Sequence, residues 1–315
     1  MGGEQFFLGV NCSRTRVRIG VAKRDGVLRD MADYPLEACT GAAVVHRLRE
    51  AVAAYCRTRG GLDVEAAGVG LPGYINPSQG VWMRSLDLGV DTALPVAAPL
   101  SQQLGMPVYI DNDINAAALA ELYFGMGRIC EDFLYLGLGD GVAMGIVADG
   151  RLIRGIANCA GEIGHMSVET GGRRCECGYQ GCLEGIASVD ALLRETRLLL
   201  SRYPLSPLTV LEREGRLTAE EILCLAEQGE ELARKVGMRV ARAVGTGLVN
   251  SMNLLNPGYI ILSGLLSKSE WLVGQVKRYV YANGFVSSIG TLRDISRSVL
   301  DPEYIDVLGA ACLCI

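Results

Sequence analysis

Residues 161–184 read GEIGHMSVETGGRRCECGYQGCLE. One histidine, His165, and three cysteines, Cys175, Cys177 and Cys182, fall inside this stretch. Four soft or borderline donors are what a closed, tetrahedral, structural zinc site requires. Cys175-x-Cys177 with Cys182 soon after lets one tight loop wrap a metal from three sides. His165 closes the fourth side from a neighbouring segment. Two plainer readings compete. The chain has eleven cysteines, and a free cysteine is a common core residue; yet residues 171–182 are rich in Gly, Arg and Glu, which is loop composition. A disulfide needs an oxidising compartment, and nothing upstream resembles a signal peptide. A metal site formed by His165, Cys175, Cys177 and Cys182 is therefore expected.

Composition bounds the rest. A chain of 315 residues is long for one domain and comfortable for two. Half of the residues are hydrophobic and 21% are charged, so a large core can form and a disordered chain is excluded. A net charge of −5 argues against a nucleic-acid surface over the chain as a whole. No apolar run reaches the ~18–20 residues that span a bilayer. Many cysteines without secretory features point to a reducing cytoplasm.

Strand and helix patterns alternate. Phe6 to Asn11 and Arg16 to Lys23 read as strands around a turn at Arg24 to Gly26. Val44, Val45, Leu48, Val52 and Tyr55 recur at helical spacing. Ala67 to Leu71 reads as a short buried strand ending in Pro72-Gly73. Met106 to Ile110 predicts a strand and Asn115 to Phe124 a helix. Phe133 to Leu138 and Gly145 to Val147 predict a strand pair around a glycine-rich turn. Ser188 can cap a helix running to about Arg202, and Thr218 with Glu221 forms a capping box. Glu231 to Met252 reads as a long, buried helix, Tyr259 to Leu262 as a strand, and the tail from Asp306 as helical. Such alternation predicts an α/β fold.

Read together, these segments resemble the ROK family, which groups bacterial sugar repressors, sugar kinases and open reading frames. The 161–184 stretch resembles its sugar-binding and zinc signature. Gly68 to Gly73, Asp111 to Glu121, Gly139 to Gly145, Asp149-Gly150, Arg154-Gly155 and Leu308 to Ala311 follow in the family's order. The resemblance covers nearly the whole chain. It implies an actin-like, ribonuclease-H-like pair of α/β domains with a cleft between them. Expected bounds are 1–111 with a returning helix at 301–315, and 112–300 carrying the zinc loop and sugar site. It also implies a homodimer, through aliphatic surface on the helices of residues 186–255.

On the sugar side, a hexose offers many hydroxyls and no charge, and is recognised by carboxylates and amides in fixed geometry. By resemblance, Asn112, Asp113, Glu162, His165 and Glu184 contact the sugar, with His165 also ligating zinc. Asp113 would stand beside the phosphorylated hydroxyl as general base, although just before a helix it also reads as an N-cap. The zinc loop would hold Glu184 in place. Where family kinases carry Asn in a short Asn-Leu-Pro-Gly piece, this chain has Asp87-Leu88-Gly89-Val90.

The nucleotide side departs from the kinases. Family kinases follow the first strand with Asp, a hydrophobic residue, Gly, Gly, Thr; here Asn11, Cys12, Ser13, Arg14 and Thr15 stand in that place. The carboxylate that would organise Mg²⁺ is lost, and two glycines that let amides approach phosphate have gained side chains. A Gly-Thr-Gly hairpin becomes Gly139, Asp140, Gly141, and the Gly-Gly step at the adenosine becomes Ser263-Gly264. These departures match the family's repressor branch. That branch carries a winged helix-turn-helix, and only about five residues precede the first strand here, so no direct DNA contact by this chain is expected. The sequence thus favours a sugar-sensing effector domain of transcriptional-regulator type with degenerate ATP loops. The alternative is an ATP-dependent sugar kinase of glucokinase, N-acetylhexosamine kinase or fructokinase type. It would use ATP and Mg²⁺, with Asp113 as base.

Overall fold

The structure, a computed structural model, describes residues 5–36, 39–59 and 63–315. In chain order its elements are β1 (Phe6–Cys12), β2 (Arg16–Lys23), β3 (Leu28–Pro35), α1 (Ala42–Thr58), β4 (Val64–Leu71), β5 (Tyr74–Asn76), β6 (Val81–Arg84), β7 (Leu94–Pro95), α2 (Ala97–Leu104), β8 (Val108–Asn112) and α3 (Asp113–Phe124). Next come β9 (Phe133–Leu138), β10 (Val142–Ala148), β11 (Arg151–Leu152), α4 (Glu184–Ala187), α5 (Val189–Leu199), α6 (Pro207–Arg213), α7 (Ala219–Gln228) and α8 (Glu231–Leu255). The chain closes with β12 (Tyr259–Ser263), α9 (Glu270–Asn283), α10 (Val286–Thr291), β13 (Asp294–Arg297) and α11 (Ile305–Cys312). Two compact units result. The first takes the chain to residue 131, then 145–160 and 298–315; the second takes 132–144 and 161–297. The position near 112 expected as a boundary falls inside the first unit, at the junction of β8 and α3.

The first unit is built on a sheet ordered β3-β2-β1-β4-β8. β1, β2 and β3 form an antiparallel meander, whereas β1, β4 and β8 run parallel. β1 and β4 are apolar almost throughout, as strands covered on both faces must be. α1 buries Val44, Leu48, Ala51, Val52 and Tyr55, a 3.6-residue period. Each fully buried large side chain of that row contributes about 1.5–3 kcal/mol.

α11 returns to this unit and lies flush against it. A Cβ at Gly9 would come within 2.0 Å of the Val307 carbonyl oxygen, and one at Gly68 within 1.8 Å of that of Ala310. A Cβ at Gly309 would meet the Ala116 carbonyl at 2.4 Å. Three glycines thus let α11 touch β1, β4 and α3 backbone to backbone.

The second unit is built around a sheet ordered β11-β10-β9-β12-β13, with β9, β12 and β13 parallel. The 25-residue α8 buries one side, and its Gly237 and Gly245 admit the rings of Trp271 and Tyr279 from α9. Caps follow the sequence closely. Ser188 accepts the Ala191 N–H at the start of α5, and Thr218 accepts that of Glu221 at the start of α7. Among the described residues no helix is long and apolar enough to cross a membrane.

Candidate functional site: a carboxylate cluster and a thiol-imidazole cluster

In the first unit the parallel strands β1, β4 and β8 end together. Asn11 pairs with Gly70, and Gly70 with Asp111. A Cβ on Gly70 would stand 3.3 Å from Asn11 Nδ2 and 3.5 Å from Asp113 Cα, so these residues converge. Asn112 caps α3: its Oδ1 accepts the N–H groups of Ile114 (2.9 Å) and Asn115 (3.2 Å), and its Nδ2 donates to the Gly73 carbonyl at 3.1 Å. The cap expected of Asp113 is therefore supplied by Asn112, one residue earlier, which leaves the Asp113 carboxylate available for chemistry. That carboxylate accepts the Ile114 N–H at 3.0 Å. Burial pushes the Asp113 carboxyl up to about 7, reinforced by the negative charges of Asp306 and Asp87 and opposed by the Ile114 N–H. A carboxylate tuned to that range suits a general base working near neutrality.

The β1–β2 hairpin closes on itself. Ser13 Oγ accepts the amide N–H groups of Thr15 (3.4 Å) and Arg16 (3.3 Å) and donates to the Arg16 carbonyl at 3.1 Å. Two backbone amides of the hairpin are thus occupied by a hydroxyl. The Arg14 guanidinium lies 3.9 Å from the Asp87 carboxylate, with both side chains well exposed.

In the second unit, residues 161–165 are laid along β10. The Met144 N–H donates to the Gly161 carbonyl at 2.9 Å. A Cβ on Gly161, which has φ +92°, would be 1.8 Å from the Met144 carbonyl oxygen; one on Gly164 would be 2.1 Å from that of Val142. Glycine at both positions is what brings Glu162 and His165 to this strand. The His165 Nε2 lies 3.9 Å from the Glu162 carboxylate. Burial raises the Glu162 carboxyl, with His165 opposing and Glu184 reinforcing the rise. Glu184, at the start of α4, accepts the Val142 N–H at 3.0 Å through Oε2. The β9–β10 hairpin carrying Gly139, Asp140 and Gly141 adjoins it, and a Cβ on Gly141 would sit 3.1 Å from that same oxygen. Gly264, at φ +84°, lies against the Leu138 backbone, where a Cβ would meet the carbonyl oxygen at 2.4 Å.

The four donors of the 161–184 stretch do gather. One ligand atom from each of His165, Cys175, Cys177 and Cys182 lies within 4.8 Å of every other. His165 Nδ1 is 3.9 Å from Cys175 Sγ, and the sulfurs of Cys177 and Cys182 are 3.6 Å apart. Zinc–sulfur bonds of about 2.3 Å at tetrahedral angles imply ligand separations of about 3.8 Å, so the donor set fits the ion in type and size. The loop's backbone is held by its own hydrogen bonds. The Cys175 N–H donates to Tyr179 O (2.7 Å) and the Gly178 N–H to Cys175 O (3.0 Å), while the Leu183 N–H ties the loop's exit to Met166 O (2.9 Å). Since Nδ1 faces the sulfurs, Nε2 of His165 is left toward Glu162.

The ROK family model matches residues 7–303. The chain belongs to the ROK family. A glucokinase from Halalkalibacterium halodurans is 29% identical, over 89% of this chain and 86% of that protein. The solved ROK glucokinase from Streptomyces griseus, in complex with glucose and AMPPNP, superposes with a TM-score of 0.83 at 27% identity, covering 98% of each chain. A solved ROK transcriptional regulator, homologous to the E. coli MLC protein, gives 0.89 at 25% identity over 98% of this chain and 78% of its own. The fold is the actin-like two-domain α/β fold of that family. A DNA-binding transcriptional repressor from Escherichia coli and a xylose repressor from Caldicellulosiruptor also match, but this chain spans 48% of the first and 61% of the second. Two glucokinases are matched over 86% and 96% of their own length, and they back the kinase alternative better than the sensor.

Two residues of the first cluster went unassigned in the sequence. Asp111 was visible in Asp111-Asn112-Asp113 but had no role there. Asp306 reads as an ordinary acidic residue in the first turn of α11, and only the return of that helix brings it to Asp113.

Proposed function

We propose that this protein binds a monosaccharide and phosphorylates it at the expense of ATP. The observation that carries this reading is Asp113, a carboxylate at the start of α3, just past the end of β8, pushed up to about 7. In the reaction the sugar hydroxyl oxygen attacks the γ-phosphorus, the bond to the ADP oxygen breaks, and the hydroxyl proton passes to Asp113. Asn112, Glu162, His165 and Glu184, with Asp87, supply the hydrogen-bonding partners for the remaining hydroxyls. His165 Nδ1 with Cys175, Cys177 and Cys182 holds a structural zinc ion, which fixes the loop leading into Glu184. Exposed Leu198, Leu205 and Val210 on the 186–255 surface support a homodimer, checked by light scattering.

A second reading is favoured by the hairpin at 11–15. Asn11 replaces a magnesium-organising carboxylate, Ser13 occupies two amides, and Asp140 places negative charge where phosphate would be repelled. Under that reading the chain senses sugar without transferring phosphate. An ATP-turnover assay over a monosaccharide panel, run beside thermal shifts with the same sugars, separates the two. Sugar-dependent ADP release supports the kinase. Stabilisation by a sugar without ADP release supports the sensor; saturation at ~100 times the dissociation constant is worth ~2.7 kcal/mol. Neither response with any sugar overturns both.

A further inference from the structure

Asp111, Asn112 and Asp113 stand in a row where β8 passes into α3, and the first of them faces inward. Asp111 is only 1% exposed, and a buried carboxylate must be paired to be tolerated. Three donors meet it. Arg154 Nε lies 2.7 Å from Oδ2, while the Asn112 backbone N–H at 2.7 Å and Asn115 Nδ2 at 3.3 Å reach Oδ1. Asn115 is itself buried, in the first turn of α3. One anion therefore clamps the last strand residue and the first helical turn, and Arg154 holds that anion from the 145–160 segment.

We propose that Arg154 and Asp111 are positioning residues for Asn112 and Asp113. They act through the backbone. With the Asn112 N–H fixed on Asp111, the Asn112 side chain is aimed at its two capping amides and at Gly73 O, and Asp113 leaves the helix start in one direction. A general base displaced by about 1 Å can lose about 100-fold in rate, so a clamp two residues away has leverage over chemistry it never touches. Arg154 has a second attachment. The Ala160 N–H donates to the Arg154 carbonyl at 3.0 Å, closing a loop that ends two residues before Glu162. The same residue thus anchors the start of the stretch that delivers Glu162 and His165. No phosphate or sugar contact is asked of Arg154 itself.

The proposal rests on the sugar-site reading, and the test separates the two. Arg154→Gln, Asp111→Asn and the double variant are prepared in the full chain and probed with glucose and ATP. Arg154→Gln strands a buried anion and lowers the melting temperature; the double variant removes the anion and recovers most of that loss. A positioning role predicts that the double variant, though stable again, stays at least tenfold low in kcat with the KM for ATP unchanged. In a chain that transfers no phosphate, the same loss is read in glucose affinity. Activity or affinity that returns in step with melting temperature overturns the proposal. Carboxyl carbon NMR of Asp113 reads the placement without any ligand. Its titration midpoint shifts in the double variant if the clamp sets its surroundings, because Asp87, Asp306, Cys12 and the Ile114 N–H are untouched by the substitutions. An unmoved midpoint overturns the proposal even where the parent protein ignores every sugar, the outcome that by itself sinks the sugar-site reading.

Discussion

Asp113 shows two opposing forces on one side chain. A carboxylate in the first turn of a helix is ordinarily stabilised by the helix dipole. Here burial and two neighbouring acids outweigh that, and the carboxyl titrates near 7 against about 3.9 in an unfolded chain. The folded state therefore binds more protons across the window from about pH 4 to 7, and its stability falls as pH rises through it. Asp113→Asn keeps the shape and removes the charge. The variant is expected to melt above the parent at pH 8 and to lose that advantage below about pH 4. A constant difference across the range would show that Asp113 is not the titrating group. The same variant is expected to lose about 10²–10⁴-fold in phosphoryl transfer. Asp113 was singled out in the sequence through the family resemblance of the segment Asp111 to Glu121. Asp306 was not, since its proximity is a product of α11 folding back over β1.

At the scale of elements, most of the first sheet could be read from apolar runs bounded by turns. Helices such as α1, and the starts of α5 and α7, were legible because period and cap agree. β3 was missed for a physical reason: none of its eight residues is fully buried, so it shows neither an apolar run nor clean alternation. β13 is a four-residue edge strand with one buried side chain. α9 does carry Leu272, Val273, Val276 and Val280 at helical spacing, a signal that a closer reading would have found. The gathering of His165, Cys175, Cys177 and Cys182 was the most legible feature of all, because donor identity and loop composition both mark it. Elemental analysis of purified protein is expected to find about one zinc per chain. Chelation or Cys177→Ser should raise hydrogen exchange across 161–184 and weaken sugar binding together; metal-free protein with an unchanged exchange pattern would contradict this. The seat of α11 is as exacting. Gly68→Ala would drive a methyl to 1.8 Å from Ala310 O, backbone against backbone, and overpacking of this kind costs about 1–3 kcal/mol or more. A melting temperature equal to the parent's would mean that α11 can shift away at no cost.

At the scale of the whole molecule, membership of a family with both kinases and repressors leaves the chemistry to a few positions. Asp113 argues for transfer, and the Ser13 hairpin against it. Ser13→Gly with Arg14→Gly reopens the two amides; ADP release is expected to rise if those amides limit nucleotide binding, and an unchanged rate would place the limit elsewhere. The division of the chain has a separate consequence. Crossing points fall at 131/132, 144/145, 160/161 and 297/298, so neither unit is a continuous stretch of gene. A single recombination event between two relatives, wherever it falls inside this range, joins halves of units that did not evolve together. Exchange of both units whole is therefore closed to any single crossover. A laboratory chimaera that keeps the second unit of this chain whole needs two paired splices, at 131/132 with 144/145 and at 160/161 with 297/298.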